Sequence, residues 1–346
     1  MSTKKLELHV WGRDGDISLI DPESRACAWL LFLHLTPLNT DFVVVTSCNT
    51  NLAETCKLPV LIVHDGSRIE KNEGFYAVVD FVSTLHPTES KFIPNNRLSS
   101  TEQLVNITLA KYIQNTFYYI SQYNLYVNTR NYEQCTRKRF ASLLPFPMYY
   151  NQPLSFHKDA CEKVKILGLG SSSAGFFSFS GAPELELDDN DSAESNPVAI
   201  SALHEKVMLA KGKDKVLLRE SKRSFRCLLL LDGYVNHVMK LFKELNLDSP
   251  VEFAHLFRPN KISACELLLY AHLHSLTHSD LPDRFIYKYL SEKFPPFFRF
   301  STTIMEALDS AMTKSHFRAL QKDEIPSLWN EIKLWAAFPK PGSTTN

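Results

Sequence analysis

The first 85 residues alternate between strand-like and helix-like segments, and this alternation restricts the fold more than any other feature of the sequence. Residues 6–11 alternate apolar and polar side chains, whereas 41–47 and 58–63 are short, nearly continuous apolar runs. Both patterns are typical of β-strands, and the second is typical of buried ones. The Asp65-Gly66 pair follows the third run and predicts a two-residue hairpin turn into a further strand.

Two helices are predicted among these strands. One begins at Asp21-Pro22-Glu23, with apolar residues at helical spacing from Ala26 to Leu33, and the other covers 74–85. The order is strand, helix, strand, and then strand, strand, helix. It resembles the thioredoxin-like domain, in which a proline opens the third strand with a cis peptide bond. Pro59 stands at that position, so we predict a structural cis-proline that shapes the domain rather than a substrate contact.

The remaining sequence follows a helical period, and no strand is predicted in it. Ser100 with Gln103, and Ser263 with Glu266, form capping boxes that would begin two of the helices. The segment 227–245 places its apolar residues on one stripe, which predicts a core helix of a bundle. The second half of the chain is therefore expected to be all-helical.

A thioredoxin-like domain followed by a helical bundle is the architecture of glutathione transferases. We therefore predict an α/β plus all-α fold that is glutathione-transferase-like, with a thioredoxin-like domain at 1–90 and an all-helical domain at 98–320. The stretch 168–196 is rich in glycine, serine and acidic residues, and it predicts a mobile acidic insertion between two helices. The tail at 321–346 is predicted to hold an amphipathic helix, which would pack on the bundle or dock at a membrane or a partner.

Charge is segregated around the predicted insertion. Residues 184–194 hold six acidic residues and no basic one, whereas 206–226 hold eight basic residues against Asp214 and Glu220. A basic helix of this kind can lie on anionic lipid, and the acidic segment would then compete with the lipid. The alternative is a solvated helix beside a disordered loop.

Composition excludes several classes of protein. Lys plus Arg equals Asp plus Glu at 38 each, and a neutral balance gives no support to a nucleic-acid binder. The seven cysteines are never in a CxxC pattern, so we expect reduced thiols, no disulfide and no zinc. His274 and His278 lack a third ligand at suitable spacing, and no metal or cofactor is expected. The amino-terminal sequence shows no secretory or matrix-targeting pattern, and no apolar run is long enough to span a bilayer.

Thiol transfer on this scaffold needs a Tyr, Ser or Cys near the start of the first helix, where it holds a thiolate. Only Ser18 and Ser24 are candidates, and four acidic residues close to them oppose a thiolate: Asp14, Asp16, Asp21 and Glu23. The position that would bind a γ-glutamyl carboxylate falls on Gly74 or Phe75, which carry no hydroxyl. We therefore expect no catalytic residue, and keep a glutathione-dependent transferase using Ser18 or Ser24 as the alternative.

The most specific segment is NTRNYEQCTRKRFASLLPFPMYYNQP, residues 128–153. It resembles the metaxin family and its fungal relatives, in which an N-T-[K/R]-N-Y opening, a T-R-K cluster and a P-F-P end recur at this spacing. The residues that match are Asn128, Thr129, Arg130, Asn131, Tyr132, Thr136, Arg137, Lys138, Pro145, Phe146 and Pro147.

The resemblance implies a non-enzymatic subunit of the sorting and assembly machinery (SAM complex), peripheral on the cytosolic face of the mitochondrial outer membrane. Its implied partners are a β-barrel core subunit, a second transferase-like subunit and the β-barrel precursors that the machinery inserts.

Within the segment 128–153, partner or lipid-headgroup contacts are predicted for cations and aromatic side chains. The alternative is intramolecular, with Asn128 or Thr129 capping a helix, Tyr132 packing in the core and the cations on a solvated face. The residues predicted to make the external contacts are Arg130, Arg137, Lys138, Phe146 and Tyr149.

Overall fold

The computed structural model describes residues 5–38, 40–66, 68–85, 90–146, 148–170, 202–245, 253–321 and 324–326. From residue 171 the predicted acidic insertion lies outside the described residues, as does the helix predicted in the tail beyond residue 326. Before that point, Leu169 is fully buried, so the chain that enters the insertion is still packed on the bundle.

The amino-terminal domain contains the predicted strands and helices. Its strands are β1 (Lys5–Arg13), β2 (Asp16–Ile17), β3 (Phe42–Ser47), β4 (Val60–Asp65) and β5 (Arg68–Glu73), and its helices are α1 (Pro22–Leu35) and α2 (Gly74–Ser83). β1 and β3 are parallel across the crossover helix α1, and β4 and β5 follow as an antiparallel hairpin. The Leu58-Pro59 peptide bond is cis, as predicted.

The predicted hairpin turn is shifted by one residue. Asp65 pairs with Arg68 at the end of β4, so Asp65 belongs to the strand rather than to the turn. Gly66 has φ +61°, a left-handed conformation that glycine adopts without a Cβ penalty.

The remaining helices form the second domain. They are α3 (Ser100–Asn115), α4 (Phe117–Gln122), α5 (Thr129–Asn131), α6 (Arg137–Leu143), α7 (Met148–Lys165), α8 (Ala202–Leu245), α9 (Ala264–Thr277), α10 (Phe285–Lys293) and α11 (Pro295–Ala311). Two π-helical stretches, Tyr123–Val127 and Tyr132–Thr136, lie on either side of α5. The architecture is glutathione-transferase-like, as the sequence predicts.

One predicted capping box is wrong by one residue. The box that begins α3 is formed by Ser99 with Glu102, not by Ser100 with Gln103. The Glu102 carboxylate also accepts a hydrogen bond of 2.6 Å from Arg258, which favours the register that places an acid at the third helical position. The second predicted box, Ser263 with Glu266, is confirmed.

The prediction that the second half contains no strand is also wrong. Residues Phe317–Ala319 form β6, which pairs in parallel with β3 and gives the sheet the order β5-β4-β1-β3-β6. The His316 ring stacks on Phe42 at a centroid distance of 4.3 Å. Three residues are too few to show a strand pattern in the sequence. The strand forms because β3 offers it a free edge with which to pair.

The two domains share one core. α1 is apolar on every side, and Ala26 to Leu31 are fully buried between the sheet and α9. The Ser275 hydroxyl of α9 donates to the Leu19 carbonyl at 2.7 Å, and the Tyr126 hydroxyl donates to the Ile20 carbonyl at 3.0 Å. The start of α1 is therefore fixed by contacts from the second domain.

Candidate functional site

Ser24 lies where a transferase would need its nucleophile-holding hydroxyl, but its hydrogen bonds are used internally. The Ser24 hydroxyl donates to the Asp21 carboxylate at 2.5 Å and accepts the Trp11 backbone N–H at 3.1 Å. Asp21 also caps α1 by accepting the Ser24 backbone N–H. A hydroxyl whose proton points at a carboxylate cannot donate that proton to a thiolate.

Ser18, the second candidate, is buried in the strand-to-helix connection. Its backbone N–H donates to the Trp11 carbonyl at 2.8 Å, and its hydroxyl has no hydrogen-bond partner among the residues that the structure describes. It does not line the cavity of about 480 Å³ that lies beside the start of α1. Neither serine is thus arranged to activate a ligand in that cavity.

A cavity of about 480 Å³ lies between the start of α1 and the helices α3, α4 and α7. We call it the interdomain cleft. Its floor holds Asp21 and Glu23, and Leu58, the residue before Pro59, lines the same space. Its aromatic walls comprise Trp11, Tyr118, Tyr119, Tyr126, Phe140 and Phe156.

The acidic floor of the interdomain cleft is electrostatically unfavourable. Burial, and then the charge of Glu23, raises the pKa of Asp21 to about 7, against the hydrogen bonds from Ser24 that lower it. Burial also raises the pKa of Glu23, although the Phe75 backbone amide and the Gln114 side chain act to lower it. Neither carboxylate has an ion-pair partner among the residues that the structure describes.

Glu23 also lies where a transferase of this fold would bind the γ-glutamyl carboxylate of its ligand. Phe75 is the second residue of α2, at the helix end where a ligand carboxylate would bind backbone amides. The Glu23 carboxylate interacts with that amide. An acidic side chain of the chain itself therefore faces the positive end of α2.

The motif residues of 128–132 make intramolecular contacts. Asn128 caps α5 by accepting the Asn131 backbone N–H, and its amide donates to the Asp283 carboxylate at 2.9 Å. Asn131 is fully buried, donates to Asn124 and to the Asp283 carbonyl, and accepts the Asp283 backbone N–H at 2.7 Å. The Tyr132 hydroxyl donates to the Pro153 carbonyl. The intramolecular alternative holds for these residues.

The three predicted cations are not gathered in one site. Arg130 lines a cavity of about 420 Å³ between α5 and α8, together with Thr129 and Glu220. Arg137 pairs with Glu133 at 3.4 Å on its own helix, and Lys138 is exposed. Neither Arg137 nor Lys138 lines the cavity that Arg130 does.

The two predicted aromatic residues belong to one exposed cluster. Phe146 is 76% exposed, and its ring lies 6.2 Å from that of Tyr149 and 6.3 Å from that of Tyr150. Tyr150 is itself exposed, whereas Tyr149 packs partly on the core. We call Phe146, Tyr149 and Tyr150 the aromatic cluster.

Part of the basic segment also carries exposed apolar residues on α8, namely Leu217, Leu218 and Phe225, and Leu229 follows one turn later. Arg226 is used internally, because its guanidinium donates to the Leu167 carbonyl and packs against Gly168. Contact of this helix with anionic lipid stays a prediction.

Two family models match this sequence. Residues 26–157 match the model of the outer mitochondrial membrane transport complex protein, Tom37, and residues 182–338 match the Tom37 C-terminal domain. The chain belongs to the Tom37 family. The resemblance to metaxins is thereby confirmed, and Tom37 membership associates the chain with an outer mitochondrial membrane transport complex.

Comparison of the Tom37 chain with solved structures finds proteins of low sequence identity. FzlA from C. crescentus is 13% identical over 86% of this chain and 92% of its own, with a TM-score of 0.35. A glutathione S-transferase of Ceriporiopsis subvermispora, solved with glutathione, is 10% identical over 88% of this chain and 97% of its own, with a TM-score of 0.48. A comparison with curated protein sequences gives no match.

The described part of this Tom37-family chain holds neither a membrane-spanning helix nor a cluster of metal ligands. There, no helix has the length and apolar character needed to cross a bilayer. No group of three His, Cys, Asp or Glu side chains could hold a metal ion in the same residues. His274 instead contacts Asp309 at 3.4 Å, and His278 lies 3.8 Å from Asp280.

Sequence reasoning missed the wall of the interdomain cleft and the ion-pair network around Asp309. Asp309 Oδ1 accepts from Arg25 at 2.7 Å and from the Trp29 indole at 2.9 Å, across 280 or more positions. Nothing in the local pattern of α11 distinguishes this acid from its exposed neighbours. In the sequence, Tyr118 and Tyr126 belong to a segment with a helical period, and nothing there indicates a cavity. The cavity that both residues line forms only when the two domains pack together.

Proposed function

We propose that this Tom37-family chain is a non-catalytic subunit of the mitochondrial outer-membrane sorting and assembly machinery. The observation that carries the proposal is the family match, which extends over both domains. On the cytosolic face, the chain would bind a β-barrel core subunit and a second transferase-like subunit. It would support insertion and release of β-barrel precursors by protein contacts alone.

Co-purification tests this role directly. We expect the tagged full-length chain to recover a β-barrel core subunit from detergent-solubilised outer membranes, and its depletion to slow the insertion of newly imported β-barrel precursors. A chain that remains in the soluble fraction after cell fractionation, with no β-barrel protein bound, would contradict the proposal.

The aromatic cluster is the surface that we propose for a partner contact. Exposed aromatic side chains are frequent anchors of protein interfaces. Replacing both Phe146 and Tyr150 by alanine is expected to lower recovery of the core subunit about tenfold. The thermal unfolding temperature should stay unchanged, because both side chains are exposed.

Ile166 provides the matched control for this surface. It is 83% exposed and directly follows α7, whose opposite end carries Tyr149 and Tyr150, so Ile166→Ala removes an exposed apolar side chain away from the cluster. Recovery of the core subunit should be unaffected. Equal losses for both variants would mean that the aromatic cluster has no special role.

Absence of catalysis is tested with glutathione. Since the Ser24 hydroxyl is held by Asp21 and Trp11, we expect no retention on immobilised glutathione and no conjugation above the uncatalysed rate. Ser18→Ala and Ser24→Ala should leave this background unchanged. Turnover that either substitution abolishes would establish the transferase alternative instead.

A further inference from the structure

The interdomain cleft has the size and position of a ligand site. Its volume of about 480 Å³ falls within the range of small-molecule and side-chain pockets, and it lies at a domain junction, where such sites concentrate. The assembly role proposed above makes no use of it.

The floor of the interdomain cleft is anionic, and in the described structure no lysine lies within ion-pair distance of Asp21 or Glu23. Lys57 and Lys163 do line the cleft, and the charges of Lys57 and Lys111 act to lower the pKa of Glu23 against the effect of burial. Lys111 lies over the Tyr76 ring at 4.1 Å and donates to Gln114. Lys163 donates to the Tyr118 hydroxyl at 2.8 Å. Lys57 lines the cleft but is exposed at its rim. Asp21 and Glu23 are therefore left without an ion pair in the described structure, and an anionic ligand would be repelled from them.

The walls of the interdomain cleft favour a cation as well. Tyr118, Tyr119 and Tyr126 line it beside the two carboxylates, and aromatic faces attract ammonium and guanidinium groups. Asp159 adds a third carboxylate to the lining. A cation in the cleft would meet both the acidic floor and the aromatic rings.

An unused segment of main chain lies in the same cavity. Leu58 lines the cleft, and among the described residues neither its N–H nor its carbonyl has a hydrogen-bond partner. Just after it, the Pro59 carbonyl accepts the Gly74 N–H at 2.9 Å. Free main-chain groups that extend a strand can pair with an extended peptide, whereas a small amine would leave them unused.

We propose that the interdomain cleft binds an extended polypeptide segment through a lysine or arginine side chain. The cationic group would lie between Asp21, Glu23 and the tyrosine rings, with the peptide main chain along Leu58. The inference goes beyond the assembly role and does not depend on it, because the test below uses the isolated full-length chain and defined peptides.

Binding is measured with a fluorescein-labelled, end-capped peptide, Thr-Val-Thr-Lys-Thr-Val-Thr, and a matched peptide with norleucine in place of lysine. We expect the lysine peptide to bind at least about tenfold more tightly. The double variant Asp21→Asn, Glu23→Gln should remove that preference while preserving the fold, since asparagine caps a helix as well as aspartate does. Glu306→Gln, an exposed acid-to-amide change on α11, should keep it.

Cys56 provides an independent measurement. It is the only exposed cysteine of the seven and lines the interdomain cleft. The lysine peptide should slow alkylation of Cys56 by iodoacetamide, and the norleucine peptide should not. Equal binding of both peptides, or of neither, would overturn the proposal. So would n-butylammonium ion binding as tightly as the lysine peptide, because the main-chain contact would then contribute nothing.

Discussion

Replacing Asp309 by alanine is expected to lower the free energy of unfolding by about 2–3 kcal/mol, less than for a fully buried ion pair because the Asp309 side chain is 35% exposed. The Asp309 carboxylate accepts hydrogen bonds from Arg25 and from the fully buried Trp29 indole, and it faces His274 at 3.4 Å. The Arg25 side chain is only 12% exposed. Alanine would leave the buried indole N–H without its acceptor and the guanidinium without its counter-ion, although the Ile17 carbonyl would still accept from Arg25 at 3.2 Å. It would also remove a contact that joins α11 to α1 and α9. Urea unfolding at neutral pH measures the loss.

Two companion variants separate charge from hydrogen bonding at this site. Asp309→Asn keeps an oxygen acceptor for Arg25 and Trp29 but removes the charge. It should lower the free energy of unfolding about half as much as Asp309→Ala does. Glu306→Ala removes an exposed carboxylate one turn earlier and should change stability by less than about 0.5 kcal/mol. If Asp309→Ala behaves like Glu306→Ala, the network does not contribute to holding the domains together.

The elements that the sequence predicts best are those whose pattern is local. The strands, the hairpin and the helix start at Asp21-Pro22 follow from periodicity and capping chemistry. The cis peptide bond at Pro59 is expected instead from the resemblance to the thioredoxin-like domain. Ser99 and Ser100 are equally suitable N-caps of α3 when only the local sequence is considered. Arg258, which is 156 positions away and binds Glu102, fits only one of the two capping boxes.

The parts that could not be predicted depend on distant partners. β6 is a strand because β3 has a free edge and Phe42 offers a stacking surface to His316. The four acids near the first helix looked equivalent in sequence, yet Asp21 and Glu23 line the interdomain cleft, whereas Asp14 and Asp16 line another cavity beside the β1–β2 turn. Asp309 acquires its importance only when α11 packs against α1.

The acid pair in the interdomain cleft is expected to destabilise the free protein, and removing its charge should stabilise it. Burial and Glu23 raise the pKa of Asp21 from 3.8 to about 7. Because the folded-state pKa is the higher one, ionisation opposes folding, with no effect below about pH 4 and its full effect above about pH 7. Asp21→Asn should therefore raise the free energy of unfolding by about 2 kcal/mol at pH 8 and by much less at pH 5.

A competing effect of the same carboxylates is smaller. Asp21 and Glu23 lie at the start of α1, where negative charge interacts favourably with the helix dipole by about 0.3–1 kcal/mol. Glu23→Gln should also raise the free energy of unfolding. The double variant should gain less than the sum of the two single gains, because each single change already removes the repulsion between the two carboxylates. A loss of stability at pH 8 would show that the dipole and capping terms dominate. A gain would show that the chain keeps two costly charges at a cavity, which is the usual relation between stability and a binding site.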